Sequence, residues 1–211
     1  DKKVIAKLRG DKDSYYLAFD QIPQSVKDCF IVTEDRDFYE HDGVNILSTM
    51  KAAVLLVKSR LFHEKISRGG STITQQLARK IYLTDDKTYE RKVREIFYAM
   101  ELEKKYTKDQ ILEAYLNTIS MGGTNYGVKA AAKDYFGKEL DQLTLREMAC
   151  IAGITQYPYL YNPRTAYYGS NKDKAKDALN NKIDIVLKDM YTAGYISLEE
   201  YEAALKDELV V

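Results

Sequence analysis

Three prolines and eleven glycines are all that interrupt 211 residues, and between them apolar side chains recur at spacings of three and four rather than two. That period commits the chain to helices, because a strand needs alternation to bury one face. The expected fold class is therefore all-α. With 45% hydrophobic residues the chain is long enough to bury one substantial core, and one domain over residues 1–211 is expected. No period of 20 to 50 residues repeats, which argues against a solenoid.

Helix boundaries are legible from capping chemistry. Pro23 suits a first helical position, with Val26, Cys29, Phe30 and Thr33 following on one side, so a first helix runs to about Glu34. Ile46, Met50, Ala53, Val54, Val57 and Leu61 form a second stripe. Thr107 with Gln110, Thr144 with Glu147 and Ser197 with Glu200 read as capping boxes. Further helices are expected over Thr88 to Lys105 and Asn171 to Ala193, and Gly137, Gly153 and Gly194 read as helix stops. The intervals 35–44, 62–70 and 156–169 read as loops.

Charge and cysteines exclude several classes. Thirty-two basic residues balance 32 acidic ones, so no net field favours nucleic acid, and any basic site must be local. Cys29 and Cys150 lie in apolar contexts that suit buried thiols. No apolar run is long enough to span a membrane and the first residues are not a signal peptide, although an anchor upstream remains compatible with this stretch.

Two segments concentrate chemistry. Glu34 to Gly43 packs five acids, a histidine and aromatic residues into ten positions. It reads as a solvated acidic loop, as an Asp-x-Asp metal site at Asp35 and Asp37, or as a catalytic loop; no strand is expected there to support the metal site. Arg68 to Leu77 opens a helix with two glycines, hydroxyls and amides, which reads either as a plain N-cap at Ser71 or as an anion site at a helix start. Arg79, Lys80, Lys87, Arg91, Lys92 and Arg94 follow and favour the anion. Arg91 and Glu95, four apart on a helix, read on their own as a surface ion pair. Ser48-Thr49-Met50-Lys51 has the Ser-x-x-Lys form of penicillin-reactive serine enzymes, but the partner motifs are absent and the reading is rejected. His41 and His63 lack the neighbours of a zinc site.

Taken in order, these segments resemble the glycosyltransferase domain of class A penicillin-binding proteins and the monofunctional peptidoglycan glycosyltransferases. The blocks are Glu34-Asp-x-x-Phe-x-x-His-x-Gly43, Gly69-Gly-Ser-Thr-Ile-Thr-Gln-Gln-Leu77, Arg91-Lys-x-x-Glu-x-x-x-Ala-x-x-Leu-Glu103, Lys108-x-x-Ile-Leu-Glu-x-Tyr-Leu-Asn117, and Ala152-Gly153 with Tyr161-Asn162-Pro163. They cover about residues 15–211. Departures are Arg79 and Lys80 where the family usually has Lys-Asn, Lys87 where arginine is common, Thr155 where a proline often stands, and a longer stretch over Leu61 to Ser67.

The resemblance implies a lysozyme-like helical head with a small membrane-facing jaw at about residues 46–66, whose Lys51, Lys58 and Arg60 interleave with apolar residues as in an interfacial segment. It implies polymerisation of lipid II into β-1,4-linked glycan strands with inversion and release of polyprenyl diphosphate. Glu34 is then the general base, and Glu95 assists near the diphosphate or through a hydrogen-bond network. Lys51, Ser71, Gln75, Gln76, Arg79 and Lys87 are expected to bind substrate; Asp35, Phe38, His41, Gly70 and Arg91 support the site. No cofactor is required, and a divalent cation, magnesium or manganese, on the diphosphate is compatible. Expected partners are lipid II, the growing strand and the membrane surface, with a C-terminal transpeptidase domain compatible with the native chain and no nucleic acid. The expected location is the extracytoplasmic face of the bacterial cytoplasmic membrane, through an N-terminal helix absent from this stretch. A degradative lysozyme-like enzyme shares the lone glutamate but has no diphosphate to stabilise, and a non-catalytic envelope-binding module would not need Glu34, Glu95 and the phosphate set together.

Overall fold

The computed structural model describes residues 13–46, 50, 70–83 and 88–211. Among them lie nine α-helices: α1 (Gln24–Glu34), α2 (Ile73–Tyr82), α3 (Tyr89–Lys105), α4 (Lys108–Thr118), α5 (Val128–Phe136), α6 (Leu145–Ile154), α7 (Pro163–Tyr168), α8 (Lys172–Thr192) and α9 (Leu198–Lys206). The only sheet among the described residues is a two-residue ribbon. In it β1 (Asp13–Ser14) runs parallel to β2 (Asn125–Tyr126), pairing Asp13 with Asn125 and Ser14 with Tyr126. The all-α expectation holds.

Capping chemistry set the boundaries as expected for α3, α4, α6 and α9. Thr88, Thr107, Thr144 and Ser197 each accept a backbone N–H of the first turn. Gly137 closes α5 at φ 65°, and Gly194 follows α8 at φ 78°. Three boundaries differ from expectation. Pro23 is the N-cap of α1 rather than its first helical residue. Gly153 does not stop a helix: it lies buried inside α6, where a side chain would meet the Lys182 stem at 3.0 Å, so its value is close approach. The interval 156–169 is not all loop, because Asn162 accepts from Arg164 N and Thr165 N and starts α7 with Pro163 at its first position.

Two apolar clusters form the interior. One gathers α1, α2, α4 and α5 with Leu17, Phe38 and Ile154; Phe30 and Tyr115 meet edge to face there at 6.3 Å. The other joins Ala149 and Cys150 of α6 to Leu179, Ile183, Val186 and Leu187 of α8, Ala166 of α7 and Ala204 of α9. Cys29 and Cys150 are buried free thiols, and burial pushes both well above the usual thiol range, so they behave as small hydrophobes. No helix among the described residues is long and apolar enough to cross a membrane. The jaw expected over about residues 46–66 lies outside the described residues except for Ile46 and Met50, which are both exposed.

Candidate active site

α1 ends on Glu34, and its carboxylate, half-buried, meets two neutral donors. Gln76 Nε2 donates to Glu34 Oε2 at 2.7 Å, and the Thr155 hydroxyl donates to Glu34 Oε1. Gln76 is itself oriented, since Tyr115 OH donates to Gln76 Oε1 at 3.3 Å. Burial first, and then the nearby Glu34 charge, hold the Tyr115 phenol well above its ordinary range, so it stays a donor. A carboxylate only accepts, which fixes the amide with its nitrogen toward Glu34.

The loop after Glu34 is pinned rather than solvated. Asp35, buried, accepts from His41 Nε2 at 2.9 Å and from Ile73 N at the start of α2 at 3.0 Å. His41 thereby ties the loop to the helix that carries Gln76. Phe38 is fully buried beneath it, with the Lys108 ammonium 4.5 Å from its ring centroid, and Lys108 also donates to His41 O. Gly43 has φ 86° and comes so close to α3 that a Cβ would sit 2.9 Å from Ala99 O. No L-residue fits there without strain. Asp37, Glu40 and Asp42 are exposed, so the solvated-loop reading holds for those three acids and fails for Asp35.

α2 starts with Thr72, not Ser71, as its cap. The Thr72 hydroxyl accepts from Gln75 N at 3.1 Å and donates to Gly43 O at 2.6 Å. Gln75 is fully buried; its Oε1 accepts from Thr72 N at 2.9 Å and completes the capping box, while its Nε2 is buried with no hydrogen-bond partner among the described residues. Ser71 is left at the helix mouth, where Lys92 Nζ donates to its Oγ at 2.9 Å, and Gly70 precedes it half-buried.

Glu95 is fully buried, which the surface-pair reading did not foresee. Arg91 Nη1 lies 2.9 Å from Oε2, Lys92 Nζ donates to Oε1, and Arg79 Nη1 stands 4.0 Å away. Three cations thus surround one carboxylate; Lys92 reaches Ser71 at the N-terminal end of α2, and Arg79 comes from the last turn of that helix. Arg79 is 38% exposed and can reach outward. Lys51 and Lys87 lie outside the described residues.

The remaining motif residues are braces. Glu113 accepts from Phe19 N at 2.6 Å, Asn117 exchanges two bonds with the Leu17 backbone, and Asn162 Nδ2 donates to Tyr135 OH at 3.1 Å. Gln156 Nε2 donates to Thr33 O at 3.1 Å while Lys182 Nζ donates to Gln156 Oε1 at 2.7 Å, which locks the end of α6 against the end of α1. Sequence reasoning missed Thr155 as a partner of Glu34. Its only signal was a hydroxyl where the resembling family often has proline.

The transglycosylase family profile matches residues 1–191. Penicillin-binding protein 1A of Escherichia coli (strain K12) is 43% identical over 202 residues, 96% of this chain and 22% of that protein. Penicillin-binding protein 4 of Bacillus subtilis (strain 168) is 39% identical over 210 residues, 99% of this chain and 32% of that protein. The crystal structure of penicillin-binding protein 1A from Haemophilus influenzae superposes with a TM-score of 0.54 at 26% identity, covering 96% of this chain and 18% of that one. The chain belongs to the transglycosylase family, as a peptidoglycan glycosyltransferase domain of the kind carried by class A penicillin-binding proteins. It spans a third or less of the curated relatives named here.

Proposed function

We propose that this domain polymerises lipid II into β-1,4-linked glycan strands, inverting the anomeric carbon of the donor and expelling polyprenyl diphosphate. The observation that carries the reading is the placement of two functions on one helix. Gln76 of α2 holds Glu34, and Arg79, one turn further, stands with Arg91 and Lys92 around Glu95. Base and leaving-group site are then set at a fixed separation by a rigid element, which is what an in-line displacement requires.

Glu34 takes the proton of the acceptor sugar's 4-hydroxyl as its oxygen attacks C1 of the donor. Ser71, the exposed face of Arg79, Lys92 and, from outside the described residues, Lys51 and Lys87 receive the negative charge that builds on the diphosphate. Glu95 holds those cations together rather than touching the reacting atoms. The donors at the mouth of α2 are hydroxylic and cationic, suited to diphosphate oxygens and not to a divalent cation. Among the described residues no group of three histidine, cysteine or acidic side chains could hold a metal ion. The reading places the domain at the extracytoplasmic face of the bacterial cytoplasmic membrane, with the jaw at about residues 46–66 against the lipid and a transpeptidase domain further along the native chain.

The test is polymerisation of lipid-linked disaccharide followed on a gel, with and without moenomycin, the phosphoglycolipid inhibitor of the resembling family. Strands that lengthen with time and stop with the inhibitor are expected. Shortening of preformed glycan without polymerisation would replace the reading with a degradative one.

A further inference from the structure

Two acceptors compete for one hydrogen at Thr155. Its hydroxyl oxygen is within hydrogen-bond reach of Glu34 Oε1 and lies 2.8 Å from Ala152 O in the last turn of α6. A hydroxyl owns one hydrogen and two lone pairs, so it cannot serve both acceptors fully at once. While Glu34 is ionised the carboxylate is the stronger acceptor and holds the hydrogen. Once Glu34 carries a proton on Oε1, the roles reverse: Glu34 donates to Thr155 Oγ1, and the threonine hydrogen turns to Ala152 O.

Gln76 has no such freedom. Its Nε2 only donates, and Tyr115 holds the amide in that orientation, so Oε2 of Glu34 is capped by a permanent donor in both states. The oxygen left for an added proton is Oε1, on the side of the one partner that can switch from donor to acceptor. The threonine backbone need not move, because the neighbouring Gln156 is bonded to Thr33 O and to Lys182.

We infer that Thr155 is a positioning residue whose hydroxyl turns between Glu34 and Ala152 as Glu34 gains and loses its proton, keeping the base hydrogen-bonded in both states. This rests on the reading of Glu34 as general base. In the step itself the acceptor O–H bond breaks and its hydrogen joins Glu34 Oε1. The electron pair left on the acceptor oxygen forms the new bond to C1, and the C1–O bond to the diphosphate breaks with its pair leaving on the diphosphate. The Thr155 O–H bond stays intact throughout.

The sign of one substitution separates a turning hydroxyl from a fixed donor. A group that only donates favours the ionised carboxylate and opposes proton uptake, so its loss would leave kcat unchanged or raise it. A group that also accepts supports the protonated state, so its loss lowers kcat. The experiment measures kcat and KM separately on lipid-linked disaccharide for Thr155→Val, Thr155→Ala, Thr155→Ser and Glu34→Gln, with a thermal melt of each.

In Thr155→Val and Thr155→Ala kcat is expected to fall about ten-fold, with KM within about two-fold of the parent. Thr155→Ser should restore most of the rate. An unchanged or raised kcat in both hydroxyl-free variants, a change in KM alone, or a serine variant as slow as valine overturns the inference. Glu34→Gln reports on the underlying reading: if it keeps turnover, the base assignment fails, whereas its inactivity beside an undisturbed Thr155→Val removes only the threonine role.

Discussion

Two glutamates in this domain are held in opposite ways. Glu34 is half-buried and both its oxygens meet neutral donors, the Gln76 amide and the Thr155 hydroxyl. Glu95 is fully buried and ringed by Arg79, Arg91 and Lys92. Neutral donors orient a carboxylate without cancelling its charge. A carboxylate ringed by cations is a good organiser, because its charge fixes where theirs sit. On the proposed reading the same functional group serves as reagent in one place and as framework in the other, and what differs between them is the neighbours.

The largest effect that would break this contrast is at Glu34. Glu34→Gln keeps size and polarity and should cut turnover about a thousand-fold, with the melting temperature near that of the parent, since general acid–base groups contribute roughly 10² to 10⁴ in rate. Single-turnover polymerisation beside a thermal melt checks both halves. Turnover that survives the change would mean that Glu34 is framework too.

Glu95→Gln should show the converse balance. Removing a buried counter-charge leaves Arg91 and Lys92 facing each other, a loss of about 3 kcal/mol, reduced by the water that reaches the more exposed Lys92 and Arg79. For a chain of this size that corresponds to a fall in melting temperature of roughly 5–10 °C. Activity should fall with it, and added salt should recover stability more than rate. A variant that melts like the parent yet loses all turnover would move Glu95 from framework to reagent.

At Arg79 the expected effects are smaller and sharpen the comparison. Arg79→Ala should slow the chemical step about ten- to a hundred-fold, and Arg79→Lys only a few-fold, because positive charge rather than the guanidinium fork is what the diphosphate needs. Rates at saturating substrate distinguish them, and equal, negligible losses would take Arg79 out of the site.

The smallest effect concerns the loop that carries Asp35. The Tyr39 phenol is pushed up to about 12 by burial first and then by its hydrogen bond to Asp109. Its folded value lies above its unfolded one of 10.0, so the folded chain binds the proton more tightly. Stability from this group is complete below about pH 10 and lost as pH rises toward 12. Half the residue is exposed, so the loss should be modest; Tyr39→Phe should flatten the decline in denaturation midpoints measured between pH 9 and 11.5.

Much of this was open to a reading of spacing, and the exceptions share a cause. Thr107 with Gln110 capped α4 because both partners lie within one turn, and Asn162 before Pro163 carried the same kind of signal for α7 although the surrounding tyrosines suggested a loop. Ser71 and Thr72 both satisfied the local rule for a cap. Thr72 took the role because its hydroxyl also reaches Gly43 O, which is 29 positions away. Gly153 looked like a stop until α8 was laid against it and Lys182 filled the space a side chain would need.

The sequence by itself determined the helices, most of their ends and the acidic and basic residues from which a site could be built, since those depend on contacts three or four residues apart. Only the tertiary structure decided what surrounds each acid. Arg91 and Glu95 were visible as neighbours, but not that the pair is buried and joined by Arg79 from another helix. Glu34 receives its two donors from 42 and 121 positions away. Pairings at such separations leave no period in the chain. They exist because packing brings α2 and the end of α6 to the end of α1, and there the chemistry of the neighbours, not the identity of the carboxylate, sets its role.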